Sequence, residues 1–312
     1  MGILKNLFKP PDPYRRNPEG GTLSRAEIQA ISVGAILTES NCEFIDSLQP
    51  ATPKEIKQRK QHQLLEQWWD IASAQEAIDG LESLKNRGHR RVFQAVLANI
   101  PQALELEPTF DDFHRAFEGA GLPIAGEEIS REYPRETELT KRHIDVLCAA
   151  YNSELEEEAE AIIDKHAALF GNDETLDICM HIFEAMLDRY EQYAEFAYNL
   201  RQAFEKLQGR GFVDNAAGLA SINPAAWDMG RMVNVARWCY ACGYITKAAA
   251  WEYILFAGDE SARQYADWTG FGKGYIMGRA IWGGDSALDD MMDIVDGLHK
   301  DEESPWRRAP LR

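Results

Sequence analysis

One stretch of this chain leaves little freedom in how it folds. Leu176, Cys179, Phe183, Met186, Tyr190, Tyr193, Ala197, Leu200, Phe204 and Leu207 recur at alternating intervals of three and four residues. That spacing gathers all of them on one stripe of an α-helix, whereas a strand would scatter them over both faces. The pattern predicts one helix from about 174 to 208, about 50 Å long at 1.5 Å per residue. A single partner helix in a compact domain does not cover that length, so the element is expected to be the spine of an all-α fold. Asp177, Glu184, Asp188, Glu191 and Glu195 fall opposite the apolar stripe and predict an acidic outer face.

Helix punctuation recurs elsewhere. Ser24/Glu27, Ser73/Glu76, Thr109/Asp112 and Ser153/Glu156 have the spacing of N-terminal capping boxes, and Gly88, Gly119, Gly171, Gly209 and Gly243 follow apolar-periodic stretches as C-terminal caps do. About a dozen helices around the long one are expected, and no significant sheet, because no run alternates apolar and polar with β-branched enrichment. Residues 1–22, rich in Pro and Gly, read as a flexible tail in which Ile3, Leu4, Leu7 and Phe8 could share one face beside Lys5 and Lys9. Residues 23–300 read as the helical domain and 301–312 as a C-terminal tail, with Gly119 to Thr137 as the longest internal loop.

Charge narrows the partners. The chain carries 51 acidic against 33 basic residues, a net charge of −18, which opposes attraction to nucleic-acid phosphate and favours a basic protein partner. Residues 151–200 hold 13 acidic and 2 basic side chains, so most of the excess sits in one segment. No apolar run approaches the ~18 to 20 residues that span a bilayer, and Met1 to Pro11 lacks the features of a signal peptide. Five cysteines suit a reducing compartment, so a cytoplasmic protein without stable membrane insertion is expected.

Several constellations invite a chemical reading. Trp238-Cys239-Tyr240-Ala241-Cys242 has the spacing of a redox W-C-x-x-C, but its cysteines fall at the end of a helix, where the dipole disfavours thiolate, so packing is the expected role. Asp289-Asp290-Met291-Met292-Asp293 matches the D-D-x-x-D that holds magnesium diphosphate in isoprenoid synthases, although no second aspartate-rich motif accompanies it. His181 with Asp177 and Glu184, and His62 with Glu66, share helix faces without the repeated Glu-x-x-His of a di-iron bundle. No P-loop, dinucleotide fingerprint or G-x-S-x-G is present. No cofactor is expected.

The stretch from Trp227 to Gly284 is unusual. It holds Trp227, Trp238, Trp251, Trp268 and Trp282 in three successive helices, and in the third Gly270, Gly274 and Gly278 line one face. Each glycine costs a helix up to about 1 kcal/mol relative to alanine, so the run needs a cause, such as close approach of another backbone or of a tryptophan. Leucine at Gly274 is expected to disrupt that approach and alanine to be much milder. Arg231, Arg237 and Arg279 sit among the tryptophans with Asp228, Glu252 and Asp267 as candidate counter-charges, as arginines do where carboxylate or phosphate is read.

These residues carry a resemblance. Trp227-Asp228-Met229-Gly230-Arg231, Ala236-Arg237-Trp238, Gly243-Tyr244-Ile245, Ala250-Trp251-Glu252, Phe271-Gly272-Lys273-Gly274-Tyr275, Gly278-Arg279 and Trp282 resemble the bacterial family known as domain of unknown function 1266. An upstream block, Leu65 to Trp69 followed by Ala77, Leu81, Leu84 and Gly88-His89-Arg90, is similar to it too. The resemblance spans 64–284 with a helical insertion at about 120–215, and implies a helical bacterial protein without naming a catalytic residue. The expected function is a non-enzymatic interaction module, of immunity or adaptor type, with Trp227, Arg231, Arg237, Glu252, Gly274, Gly278, Arg279 and Trp282 as candidate binding residues. The alternative is a helical enzyme or ligand binder for a diphosphate- or nucleotide-like anion, with magnesium on Asp289, Asp290 and Asp293.

Overall fold

A computed structural model of the chain describes residues 13–99, 107–126, 140–153 and 155–312, together with 104, 129 and 131. Among them there are helices and no strand, and no helix is long and apolar enough to cross a membrane. The helices run α1 (Arg25–Ser32), α2 (Ala35–Ser40), α3 (Pro53–Gln58), α4 (Gln61–Trp69), α5 (Ala74–Asn86) and α6 (Arg90–Ala98). Next come α7 (Phe110–Gly119), α8 (Lys141–Tyr151), α9 (Glu156–Lys165), α10 (Ala167–Phe170) and the 37-residue α11 (Asp173–Gly209). The chain closes with α12 (Ala216–Ala220), α13 (Ala225–Ala241), α14 (Lys247–Gln264), α15 (Trp268–Gly283), α16 (Leu288–Lys300) and α17 (Pro305–Arg308).

The long helix extends one residue beyond the expected span at each end, and its stripe is buried at Cys179, Phe183, Met186, Tyr193, Ala197, Leu200 and Leu207. The five acidic residues expected opposite the stripe are exposed. Capping boxes form at Ser24/Glu27 and Thr109/Asp112, and Ser73 caps α5. Ser153 does not cap α9. Its hydroxyl donates back to the Ala150 carbonyl at 2.7 Å, and α9 starts after Leu155 without a side-chain cap. A Ser at the end of one helix is within reach of that helix's free carbonyls, and this local bond wins over the next N-terminus.

The chain forms two compact units rather than the single domain expected, one from residues up to Gln94 and from Asn199 onward, the other from Ala95 to Tyr198. In the first unit α13 is the centre, packed against α14, α15, α5, α2 and α4. Every residue from Ala225 to Cys239 is buried, so α13 has no wet face. It nonetheless carries Asp228, Arg231, Asn234 and Arg237, one polar residue every three. Because three residues fall 60° short of a full turn, the row winds around the helix and meets a different neighbour at each step.

Both ends of the described chain are tied into this unit. Of the expected N-terminal tail, residues 1–12, and with them the face of Ile3, Leu4, Leu7 and Phe8, lie outside the described residues. Tyr14 is buried, its backbone N–H donates to Glu39 at 3.1 Å, and Arg15 accepts through its carbonyl from Ile45 at 2.7 Å. The expected C-terminal tail is structural. Trp306 is buried, stacks on Trp268 with ring centroids 5.0 Å apart and donates through Nε1 to the Ser32 carbonyl at 2.9 Å. A single tryptophan among charged residues has no periodicity to reveal it, yet its ring is a large apolar surface to bury.

The second unit has a core of Ile144, Leu147, Phe170, Cys179, Ile182, Phe183 and Met186. Beside it, Phe117 of α7 packs edge-on and Phe113 tilted against Tyr193. Of the expected loop from Gly119 to Thr137, Leu122 and Ala125 are buried, and most of the remainder lies outside the described residues.

Candidate functional site

The two motif blocks meet at Asp228. Between α5 and α6 the chain turns at Gly88, whose φ is +56°, and a Cβ there would run into the Asp228 carboxylate. The carboxylate accepts from the backbone N–H of His89 at 3.1 Å and of Arg90 at 2.9 Å. It thus caps the N-terminus of α6 from another helix, supplying negative charge where the exposed N–H groups favour it. It also accepts from Arg231 at 2.8 Å and Arg90 at 3.4 Å. The Arg231 guanidinium lies 5.4 Å from the Trp69 ring and 4.7 Å from that of Trp227, and donates to His89 Nδ1 at 2.7 Å. Burial first, and then the Arg231 charge, pull the His89 pKa down to about 4 against Asp228. The imidazole is therefore neutral at pH 7, with Nδ1 as acceptor.

Two turns along α13, Arg237 is fully buried. It donates to the Ser47 carbonyl at 3.1 Å, to Thr38 Oγ1 at 2.8 Å and to the Phe44 carbonyl, and Glu43 stands 3.7 Å away. Glu43 is itself buried, which raises its pKa, and it accepts from Trp238 Nε1 at 2.8 Å. Asn234 joins in by accepting from Thr38 at 2.9 Å and donating to the Gly34 carbonyl at 3.0 Å. Arg237 thus pins the loop after α2 to the central helix, with every nitrogen engaged.

The glycine face of α15 is core. A Cβ at Gly274 would strike the Asn223 carbonyl, and one at Gly278 would strike Trp227. Backbone cannot move aside as a side chain can, so even alanine at Gly274 forces a shift, where the sequence predicted a much milder effect. Gly270 is different: the nearest atom to its virtual Cβ is 3.7 Å away, and its N–H is the capping contact of Asp267 at 2.9 Å.

Around Gly278 lies an aromatic group. Trp227 stands 5.1 Å from Tyr275 and 5.9 Å from Trp282 between ring centroids. The guanidinium of Arg279 lies 5.4 Å from the Trp282 ring and donates through Nη2 to the Ser286 carbonyl at 2.5 Å. Trp227, Tyr275 and Arg279 are all at least 94% buried, whereas Trp282 is 42% exposed. Among the described residues Trp227 Nε1, the Tyr275 hydroxyl and Arg279 Nη1 have no hydrogen-bond partner.

The remaining candidates separate from this cluster. Glu252 is exposed, and the carboxylates that meet the arginines are Asp228 and Glu43. Asp289 pairs with Lys206 at 2.9 Å and Asp293 with Arg210 at 2.6 Å, so of the motif Asp289, Asp290, Asp293 the first and last residues tether α16 to the end of α11, and Asp290 is exposed. Among the described residues no group of His, Cys, Asp or Glu has the arrangement to hold a metal ion. Burial pushes the Cys239 thiol up to about 12 and Cys242 up to about 11, leaving both protonated and unreactive at neutral pH. His62 bonds Tyr244 through Nδ1 at 3.1 Å.

A second feature lies wholly within the second unit. Helices α8, α9 and the first turns of α11 enclose an open groove of about 580 Å³. Leu147, Leu176, Met180, Phe183 and Leu187 line it, and Glu156, Glu160, Asp164, Asp177 and Glu184 rim it, without a lysine or arginine among the described lining. Tyr151 and Met180 there are 61% and 37% exposed. Sequence reasoning found the acidic segment but not the groove, because the residues come from three helices. Tyr275 and Asn234 were also missed, although a polar residue every third position in an otherwise apolar helix was a signal.

The family described as Protein of unknown function (DUF1266) matches the chain over residues 64–311. The match runs past Gly284 to take in α16 and Trp306, farther than the motif blocks alone. No curated protein and no solved structure matches the chain.

Proposed function

Because the chain belongs to the DUF1266 family, whose description assigns no activity, we propose its function from its surface: it is a non-enzymatic interaction module that seats a basic amphipathic segment of another protein. The observation that carries this is the groove of the second unit, with an apolar floor and five carboxylates on its rim. Apolar side chains of a docked helix gain affinity by leaving water, and lysines or arginines on its flanks meet the rim. Complementary charge of this kind speeds encounter and selects among partners. Such a module acts as an immunity or adaptor protein in a bacterial cytoplasm, with a protein partner and not nucleic acid.

The test uses a synthetic Lys/Leu amphipathic helical peptide labelled for fluorescence anisotropy, with a Glu/Leu peptide of the same pattern as control. The Lys/Leu peptide is expected to bind, to weaken as salt rises from about 50 to about 500 mM, and to be lost with the pair Glu160→Lys and Glu184→Lys. Equal binding of the two peptides, or binding indifferent to the charge reversal, would refute the assignment.

A further inference from the structure

The arginines of the first unit are unequally compensated. Arg90 and Arg231 share the Asp228 carboxylate, and Arg237 faces Glu43. Arg279, 94% buried, meets no carboxylate among the described residues, and its Nη1 meets no protein acceptor among them. An arginine does not shed its proton, and a buried ion without a counter-ion costs several kcal/mol. The C-terminal carbonyls of α15 and the Ser286 carbonyl offset part of that charge. They do not reach the second guanidinium nitrogen. His89 adds no compensation, since its imidazole is neutral.

The same neighbourhood holds the other two orphaned donors, Trp227 Nε1 and the Tyr275 hydroxyl. The rings of Trp227 and Tyr275 are in contact, and the charges of Arg231 and Arg279 both act on the Tyr275 hydroxyl. All three unpartnered groups are donors, so the chemistry missing from the cluster is that of an acceptor. Ordered water would satisfy the phenol and the indole, but water carries no charge to set against Arg279. An oxyanion supplies both, because its several oxygens accept from donors arriving in different directions and its charge neutralises the guanidinium. The half-exposed Trp282, against which the Arg279 guanidinium rests, is the side chain of this cluster that solvent reaches.

We propose that Arg279, Tyr275 and Trp227 form a binding site for the oxyanion of a small molecule, a phosphate or carboxylate group, closed on the solvent side by Trp282. The site is independent of the acidic groove, being built in the first unit from other residues. Arg237 has no part in it.

The experiment uses the full chain purified in phosphate-free chloride buffer, with melting temperature and titration calorimetry followed against inorganic phosphate and against acetate. A saturable rise in melting temperature with phosphate is expected, and a response to acetate alone would identify the group as a carboxylate. Tyr275→Phe, which removes a single hydroxyl, is expected to weaken that binding at least tenfold, and Arg279→Leu to abolish it. If Arg279→Leu fails to fold, the tyrosine variant carries the test. Absence of saturation with both anions overturns the proposal, and so does a general salt effect that is the same in the parent and in Tyr275→Phe.

Discussion

Arg237 and Arg279 are both buried arginines set among tryptophans, and the sequence presents them as equivalents. Their surroundings differ completely. Arg237 reaches a carboxylate, a hydroxyl and two backbone carbonyls, so it is a rivet that fastens the loop of Phe44 and Ser47 to α13. Arg279 has one carbonyl, an aromatic ring and an idle nitrogen. A buried charge whose hydrogen bonds are all made is architecture, and one that is left short of partners is a vacancy for something else.

The largest expected effect is at the rivet. Arg237→Leu leaves Glu43 buried without its counter-charge and the Ser47 and Phe44 carbonyls without their donor, and should cost about 3 to 5 kcal/mol, the range for breaking one side of a buried pair. Thermal melting of the purified variant measures it. A variant as stable as the parent would erase the distinction between the two arginines. Next is the close packing of the glycine face of α15. Gly274→Leu should destabilise by about 1 to 3 kcal/mol or more, and Gly274→Ala should also lower the melting temperature, since its methyl meets the backbone of Asn223.

A smaller effect tests the Asp228 corner. His89 is held neutral in the fold, so the unfolded chain binds the proton more readily. Its contribution is fully present above about 6.5, the ordinary histidine value, and is lost as pH falls towards the folded value of about 4. The side chain is 35% exposed, and solvent screening reduces the effect to about 1 kcal/mol. Melting curves between these limits should be steeper in pH for the parent than for His89→Phe, and identical slopes would show that the imidazole is not desolvated. The smallest stability change is expected at the vacancy. Arg279→Leu in phosphate-free buffer should lie within about 1 kcal/mol of the parent or above it, because removing an uncompensated buried charge relieves its desolvation. A loss as large as that of Arg237→Leu would make Arg279 a second rivet.

Much of the local structure was legible before any coordinates. The stripe from Leu176 to Leu207 fixed the long helix to within a residue at each end, and the boxes at Ser24 and Thr109 and the turn glycines at Gly88 and Gly243 marked boundaries, because these signals act within one or two turns of chain. The close approach at Gly274 and Gly278 was legible as well, since a helix does not accumulate glycine without cause. Ser153 misled because two helix ends compete for one hydroxyl, and Trp306 because a lone ring has no period.

By itself the sequence determined that the chain is helical, where most helices begin and end, and that its excess negative charge is concentrated between residues 151 and 200. Only the tertiary structure decided what each charge meets. The carbonyl partners of Arg237 outside its helix lie 190 and 193 residues away along the chain, the partners of Asp228 outside its helix 138 and 139, and the groove draws its rim from helices that are not contiguous. Helix formation is settled by neighbours three and four positions apart, whereas the pairing of a buried charge depends on which distant backbone and side-chain groups folding brings within about 3 Å of it.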